Sequence, residues 1–375
     1  MEVDRIINGN CIEVLQTLPD HSVDLIFADP PYWLRVAGVL RRVEGTEFDG
    51  CDDEWDNQFG SQQDYEAFTE QWLTQCRRVL KKHGSIWVIG GMQCIYTIGG
   101  VMQKLGFWFI SDIIWHKTNP TPNFMGTRPN NSHETLIWAT LSKQARFTFN
   151  YQTAKELNTD SVGESDYARG IRRQLGSVWR IGVCQGNERL KDAAGAKLHS
   201  TQKPEELLYR IITISSRVGD IVLDPFGGTM TTAAVAKRTG RRYIMIEQDE
   251  EYCAYGAKRL SAIAPSIGSI EQATLDIKPP KVAVKDMIQQ GYLLEGESFY
   301  IRGTPTAVLR GDAKLQYQGE AKDMHSCAAL ALGRKSQRLN GFDHWYVLRD
   351  EGLVSIAEIR TQYRVQVLGY GLVSS

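Results

Sequence analysis

"GDIVLDPFGGTMTTAAVAKRTGRRYIMIEQD", Gly219 to Asp249, is the stretch that decides the fold. An apolar run ends in Asp224, a glycine turn follows, a helical stretch begins at Thr231, and a second apolar run ends in Glu247. Glycines at such a turn let the backbone approach a ligand, and an acid about 20 residues on can accept hydrogen bonds from ribose hydroxyls. Neither the G-x-G-x-x-G fingerprint of a dinucleotide site nor the G-x-x-x-x-G-K-[ST] phosphate loop is present, since Thr229-Met230 follows Gly227-Gly228. A glycine-rich turn alone is a weak signal. A nucleoside without a pyrophosphate suits this one best, and S-adenosylmethionine (SAM) is the common example. Asp224, Phe226, Gly228, Thr229 and Thr231 are then expected to shape the pocket, with Glu247 on the ribose.

Outward from this unit the alternation continues. Strands are expected at Val23–Ala28, Ser85–Ile89, Phe109–Trp115, Glu134–Ala139, Asp220–Leu223 and Arg242–Ile246. Helices are expected at Tyr65–Leu80, Ile95–Lys104, Glu205–Ser215, Thr231–Thr239 and Glu251–Ile263. The pattern predicts an α/β fold: an open, mostly parallel, Rossmann-like sheet with helices on both faces. At "DIKPPKVAV", residues 276–284, Pro279 and Pro280 mark a linker. Beyond it, short strand-like runs at Ser298–Arg302, Ala307–Leu309, Lys314–Tyr317 and Trp345–Leu348 predict a small α+β module over 285–375, after a main domain over 1–275.

Composition agrees with a globular protein: 42% hydrophobic, 23% charged, net charge -1. No apolar stretch is long enough for a membrane span, and no signal peptide is recognisable. The seven cysteines are scattered without a C-x-x-C pair, which argues against a zinc site or disulfide framework and predicts no metal and a cytoplasmic setting. Charge is uneven, however. Between Arg169 and Lys197 stand seven Lys/Arg against two acids, a count that fits either a phosphate-binding surface or a solvated loop.

A second stretch, "IFADPPYWL" from Ile26 to Leu34, ends an apolar run in an acid, two prolines and a tyrosine. Taken alone, D-P-P-Y is either a rigid strand exit or a site. With "HSTQKPEELLYR" (His199–Arg210) and "LDPFGGTMTT" (Leu223–Thr232), in that order, it resembles the β-class of DNA amino-methyltransferases. "GNCIEVLQTLPDHSVDLIFADPPY", "NPTPNF", "NSHETLIWA" and "NGFDHWYVLRDEGL" narrow the likeness to cell-cycle-regulated adenine methyltransferases of the CcrM type, over nearly the whole chain. The resemblance implies methyl transfer from SAM to adenine N6 in double-stranded DNA, with the base extruded and GANTC as target; a homodimer is a separate expectation. Cytosine N4 is the alternative, although that class more often carries Ser in place of Asp29. A catalytically weak DNA-binding relative is another.

An exocyclic amino nitrogen is a poor nucleophile, because its lone pair is conjugated into the ring. Asp29 and the Pro30 carbonyl offer two acceptors for its hydrogens, Pro30 and Pro31 stiffen the backbone, and Tyr32 can stack on an extruded base. By resemblance, Thr201, Gln202 and Lys203 lie on the SAM side, although Lys203 alone reads equally as a surface lysine. Met230 stands where the family usually has a second glycine, and a side chain there is expected to narrow or displace the turn and to change SAM affinity without abolishing binding. Trp33, which replaces a small polar residue, either lines the base pocket or packs.

Base reading needs side chains at base edges as well as cations on phosphates. Segments near 33–60, 119–134 and 151–198 are the expected target-recognition parts. Asn119, Asn123, Arg128, Asn131, Arg189 and Lys191 are candidates there, and Asn340 and Trp345 in the C-terminal module. Trp345 reads either as a stacking platform or as core.

Overall fold

The computed structural model describes residues 1–33, 39–41, 47–49, 59–120, 123, 127–159, 170, 172–191, 195, 198, 201–334, 339–350 and 352–370. They form two compact units, Met1–Asp276 and Ile277–Ser375.

In the first unit the elements run β1 (Arg5–Asn8), α1 (Cys11–Thr17), β2 (Val23–Ala28), β3 (Val39–Arg41), β4 (Glu47–Asp49), α2 (Gln62–Val79) and β5 (Leu80–Gly90). Then come α3 (Ile95–Lys104), β6 (Trp108–Lys117), β7 (His133–Thr140), α4 (Tyr151–Glu156) and β8 (Val178–Ile181). The unit around the glycine turn follows as α5 (Glu205–Ser215), β9 (Ile221–Asp224), α6 (Thr231–Arg238), β10 (Arg242–Glu247) and α7 (Glu250–Ser261). Eight strands form one sheet in the order β1-β10-β9-β2-β5-β7-β6-β8. All neighbours are parallel except at β7, which runs against both β5 and β6. The α/β architecture expected from the alternation is therefore the one observed.

Strands buried on both faces need apolar residues at every position. In β2, Ile26 and Ala28 pack into one core with Trp72 and Leu73 of α2 and Ile98 of α3. Leu25 and Phe27 pack into the other core with Leu208 and Ile211 of α5 and Ala233 of α6. Asp24 is the polar break in that run. Its carboxylate takes the Lys81 ammonium at 2.8 Å and the Ile221 N–H at 3.0 Å, so it ties β2 to β9. Helix α2 begins three residues before the expected Tyr65, because Ser61 caps it by accepting the Asp64 N–H. That first turn is polar and leaves no trace in the apolar spacing.

Asp276 closes the first unit. Its carboxylate accepts the N–H groups of Gln152 and Thr153 at 2.8 and 2.9 Å, serving the start of α4, where Asn150 provides no side-chain cap. The second unit holds α8 (Val284–Gln289), β11 (Ser298–Ile301), β12 (Thr304–Leu309), β13 (Leu315–Tyr317), β14 (Glu320–Lys322), α9 (Met324–Ala331), β15 (Tyr346–Arg349), β16 (Gly352–Ser355) and α10 (Ile356–Gln366). Its six-stranded sheet, β14-β13-β12-β11-β15-β16, is antiparallel throughout. Phe299, Leu309 and Val347 pack against Ala328 of α9 and Ile359 of α10, while Val308 and Leu348 alternate outward and are exposed.

Met230 departs from the sequence expectation. Its backbone is left-handed, at φ 60° and ψ 31°, as a glycine's would be. Yet its side chain leaves the turn on the core side, is wholly buried, and does not line the cleft described below. It packs in the core of the sheet's second face, and two glycines lie against it. A Cβ on Gly256 of α7 would stand 2.2 Å from Met230 Cγ, and one on Gly227 would stand 3.0 Å from its sulfur. Replacing Met230 by glycine should relieve about 1–2 kcal/mol of left-handed strain but forfeit about 2–5 kcal/mol of buried packing. Met230→Gly is therefore expected to lower the denaturation midpoint and leave SAM affinity where it was. A more stable variant, or one that binds SAM more tightly, would refute this placement.

Candidate functional site

Parallel strands place their carboxyl ends along one edge, and ligands bind there. At this edge β2 delivers Asp29 to Tyr32, β9 delivers Asp224 to Phe226, and β10 delivers Glu247. Between and above them lies an open cleft, about 1090 Å³ with the solvent space at its opening included, lined among others by Asp29, Pro30, Tyr32, Phe226, Gly228 and Glu247. Thr201, Gln202, Lys203, Asp224, Thr229 and Thr231 line it too, so the expected catalytic and cofactor residues share one cavity.

The glycine turn is held tightly. Gly228 has φ +47°, and a Cβ on Gly227 would lie 3.2 Å from the Ile246 carbonyl. The Glu247 carboxylate accepts the Gly228 N–H at 2.7 Å and the Asp249 N–H at 2.9 Å. Burial raises its pKa against those bonds. Arg259, which the sequence did not single out, donates to the Thr229 carbonyl at 2.9 Å and pairs with Glu205 at 2.6 Å. Asp224 takes the Phe226 N–H at 2.9 Å and the Thr232 hydroxyl at 2.6 Å. This cradle of close backbone, two acids and threonine hydroxyls suits a nucleoside with a cationic tail.

At the other end of the cleft the D-P-P-Y turn is pinned from beneath. The Tyr65 hydroxyl donates to the Pro31 carbonyl at 2.8 Å. Trp33 resolves in favour of packing: it is buried, left-handed at φ 51°, stacked on Tyr65 at 5.7 Å, and its indole N–H donates to the Phe59 carbonyl at 3.1 Å. Lys203 is not a surface lysine. It is 7% exposed, and its ammonium lies 2.7 Å from Asp29 Oδ2. Asp29 Oδ1 is buried and has no hydrogen-bond partner among the described residues. Burial pushes the Asp29 carboxyl up, with Lys203 opposing.

Glu134, near the start of β7, joins the site although nothing local in the sequence marks it. Its carboxylate accepts the Tyr32 hydroxyl at 2.7 Å, pairs with Lys117 at 2.7 Å and stands 3.9 Å from Lys203. Burial works against its charge, but Lys203, Lys117 and the Tyr32 hydroxyl outweigh it and hold the pKa below the ordinary value. Neither Lys117 nor Glu134 leaves a local signal, since strand ends rich in charge are common.

The DNA-reading candidates fare unevenly. Trp345 is corrected: it is 0% exposed, its indole N–H donates to the Met324 carbonyl at 2.9 Å, and it forms part of the core. A ring closed off in this way offers no face to a base. Asn340 turns its amide to Asp343 of the same loop at 2.7 Å. Asn119 accepts the Val183 N–H at 2.8 Å, a tie between connections. Gln202 likewise bridges the Glu188 carbonyl and the Leu190 N–H, next to Arg189. Arg128, Asn131 and Lys191 are exposed, and Asn123 is half-buried. Most of the expected arm at 33–60 and residues 160–169 of the 151–198 segment lie outside the described residues.

This sheet, with one reversed strand and a nucleoside cradle at its carboxyl edge, defines a SAM-dependent methyltransferase. The chain belongs to the N6_N4_Mtase DNA methylase family, which matches residues 23–258. It is similar to the Type II methyltransferase M.HinfI of Haemophilus influenzae, 44% identical over 365 residues, covering 97% of this chain and 98% of that protein. The Type II methyltransferase M2.DpnII of Streptococcus pneumoniae is 36% identical over 259 residues, 68% of this chain and 89% of that one. PvuII DNA methyltransferase (cytosine-N4-specific) shares the fold, with a TM-score of 0.51 at 20% identity over 74% of this chain and 92% of that one. The protein is accordingly a SAM-dependent, site-specific DNA methyltransferase. Among the described residues no helix is long and apolar enough to cross a membrane.

Asp224 gives a pH test of the cradle. Burial pushes its carboxyl up from 3.8 to about 8, against the Thr232 hydroxyl and the Phe226 N–H. The folded protein thus keeps a proton that the unfolded chain releases, so stability is full at low pH and falls as pH rises through that window. Without SAM, Asp224→Asn should gain on wild type between about pH 5 and pH 8, by on the order of a few kcal/mol. Parallel stability curves in urea titrations across this range would mean that Asp224 is ionised throughout.

Proposed function

We propose that the enzyme methylates adenine at N6, through the base-extruding chemistry and with the residue roles that the sequence resemblance implies. The observation that carries this reading is the buried Oδ1 of Asp29, without a partner among the described residues, in the cleft that Pro30 and the SAM-type cradle also line. Two acceptors side by side suit an amino group that must surrender conjugation as it attacks. Lys203 pairs with the other carboxylate oxygen and opposes the rise in pKa that burial imposes, which favours the charged form of Asp29, the stronger acceptor. Such preorganised acceptors act on the transition state without reorganising. Tyr32, hydroxyl anchored and ring part-exposed, offers a face on which an extruded base can stack. Glu247, Asp224 and the Gly227–Thr231 turn would hold SAM, which supplies the electrophilic methyl group.

An acid in Asp29's place favours adenine N6 over cytosine N4. The CcrM-type likeness favours GANTC as the target, and a DNA substrate puts the work in the nucleoid. Incubation with labelled SAM and duplex DNA, followed by digestion, should yield N6-methyladenine. Label in N4-methylcytosine would transfer the enzyme to the other class, and no label at all would leave a DNA-binding relative. Asp29→Ala should slow single-turnover transfer by roughly 10²–10³-fold while SAM still binds.

The C-terminal unit, with its own core, is read as a DNA grip. It carries 13 Lys/Arg against 10 Asp/Glu over 277–375. A chain ending at Asp276 should still bind SAM but lose DNA affinity and part of its salt dependence, because phosphate contacts set that slope. Titration against duplex DNA at several salt concentrations decides this. Equal slopes for both chains would point instead to a unit that pairs two copies of the enzyme.

A further inference from the structure

Two lysines and two carboxylates are buried together at the catalytic turn, and only one of the four, Asp29, belongs to the motif. Side-chain exposures are 18% for Asp29, 7% for Lys203, 11% for Glu134 and 14% for Lys117. An arrangement so costly to desolvate persists only when each charge has a defined partner. The partners here are unequal. Lys117 closes on Glu134 Oε1 at 2.7 Å, whereas Glu134 Oε2 takes the Tyr32 hydroxyl at 2.7 Å and faces Lys203 at 3.9 Å. Lys203 closes on Asp29 Oδ2 at 2.7 Å and lies 5.0 Å from the centre of the Tyr32 ring.

Strand geometry explains how these groups meet. Glu134 pairs with Trp115 across β7 and β6, and Lys117 lies two residues beyond Trp115 on the same face. Since β7 runs backwards, its first residues, not its last, reach the catalytic edge. The Tyr32 ring is also bounded by Gly91 after β5, where a Cβ would approach it to 3.4 Å.

We propose that Glu134, with Lys117 as its counterion, is a positioning residue for methyl transfer: it fixes the rotation of Tyr32 and shares the Lys203 ammonium with Asp29, which leaves Asp29 Oδ1 uncommitted for the amino group. The proposal rests on the adenine-N6 reading of the site. If Glu134 lost its charge, Lys203 would turn wholly to Asp29, and Tyr32 would be free to swing. Charged and titratable groups face Glu134 from every side: Asp29 and Tyr32 after β2, Lys117 from β6, Lys203 before α5 and Cys94 before α3. Burial pushes the Cys94 thiol up to about 12, so it stays neutral at working pH. Asp224 stands beyond Asp29.

The sign of a pH effect follows. Burial is the largest influence raising the Asp29 pKa, and the Glu134 charge raises it further, while Lys203 lowers it. Removing the Glu134 charge lets Asp29 ionise more readily, so the acid limb of the activity profile should move to lower pH. A purely structural residue would leave that limb in place.

The test is single-turnover methylation of duplex DNA by Glu134→Gln and Glu134→Asp, beside wild type and Asp29→Ala, with SAM affinity measured by calorimetry. Glu134→Gln should lose roughly ten- to hundredfold in rate, hold its SAM affinity, and show an acid limb displaced downward by roughly half a unit or more. Glu134→Asp keeps the charge and should restore the limb to its wild-type position. A Glu134→Gln rate and profile matching wild type would overturn the proposal, as would a slower rate with the limb unmoved. Wild type that methylates no adenine, or Asp29→Ala that equals it, would instead overturn the reading of the site.

Discussion

The buried ion pair between Lys203 and Asp29 is the contact on which the candidate site depends. It joins the strand exit at the start of the chain to the segment that leads into α5, and both segments also line the SAM cradle. Removing one partner of such a pair leaves an uncompensated charge, at a cost of about 3–5 kcal/mol. The second pair, Lys117 with Glu134, completes a neutral cluster, and the Tyr32 hydroxyl bonds into it. Asp29 is thus held directly by Lys203, which Glu134 faces from its other side. Tyr65, under the Pro31 carbonyl, does the same for the backbone of the turn.

The cradle is stiffened by similar means at its other end. Arg259 spans from the Thr229 carbonyl to Glu205, which also takes Arg238 at 2.5 Å. One glutamate at the start of α5 therefore links α6 and α7, and Lys203 lies two residues before it. Methyl transfer depends chiefly on holding two reactants in line. A rigid connection between the two halves of the cleft serves that need better than any single strong base.

Much of the first unit was legible because its signals are local. Helices α3 and α5 and strand β2 lie where the apolar spacing puts them, and the glycine turn between β9 and α6 is written in its residues. What escaped was non-local or short. Strand β1 is an edge strand of half-buried residues whose partner, β10, lies near the far end of the unit, so it shows no apolar run. Glu134 reads as a charged strand end until the reversal of β7 carries it to the site. Trp345 stayed open in the sequence for a different reason: a tryptophan among polar residues reads as platform or core alike, and only the structure shows its indole N–H on a backbone carbonyl inside the core. Met230 showed that a sequence gap in a glycine pattern locates a backbone angle without saying which way the side chain leaves.

That last feature has an evolutionary side. Met230 and Gly256 occupy one volume between them, since a Cβ at 256 would fall inside the Met230 side chain. While methionine stands at 230, every residue larger than glycine is barred from 256. While glycine stands at 256, a glycine at 230 leaves a hole. Each change alone passes through a less stable intermediate, whereas the two together could exchange bulk between α7 and the turn. Relatives with the usual glycine at the turn should therefore carry a side chain on the facing helix, and the two positions should vary as a pair.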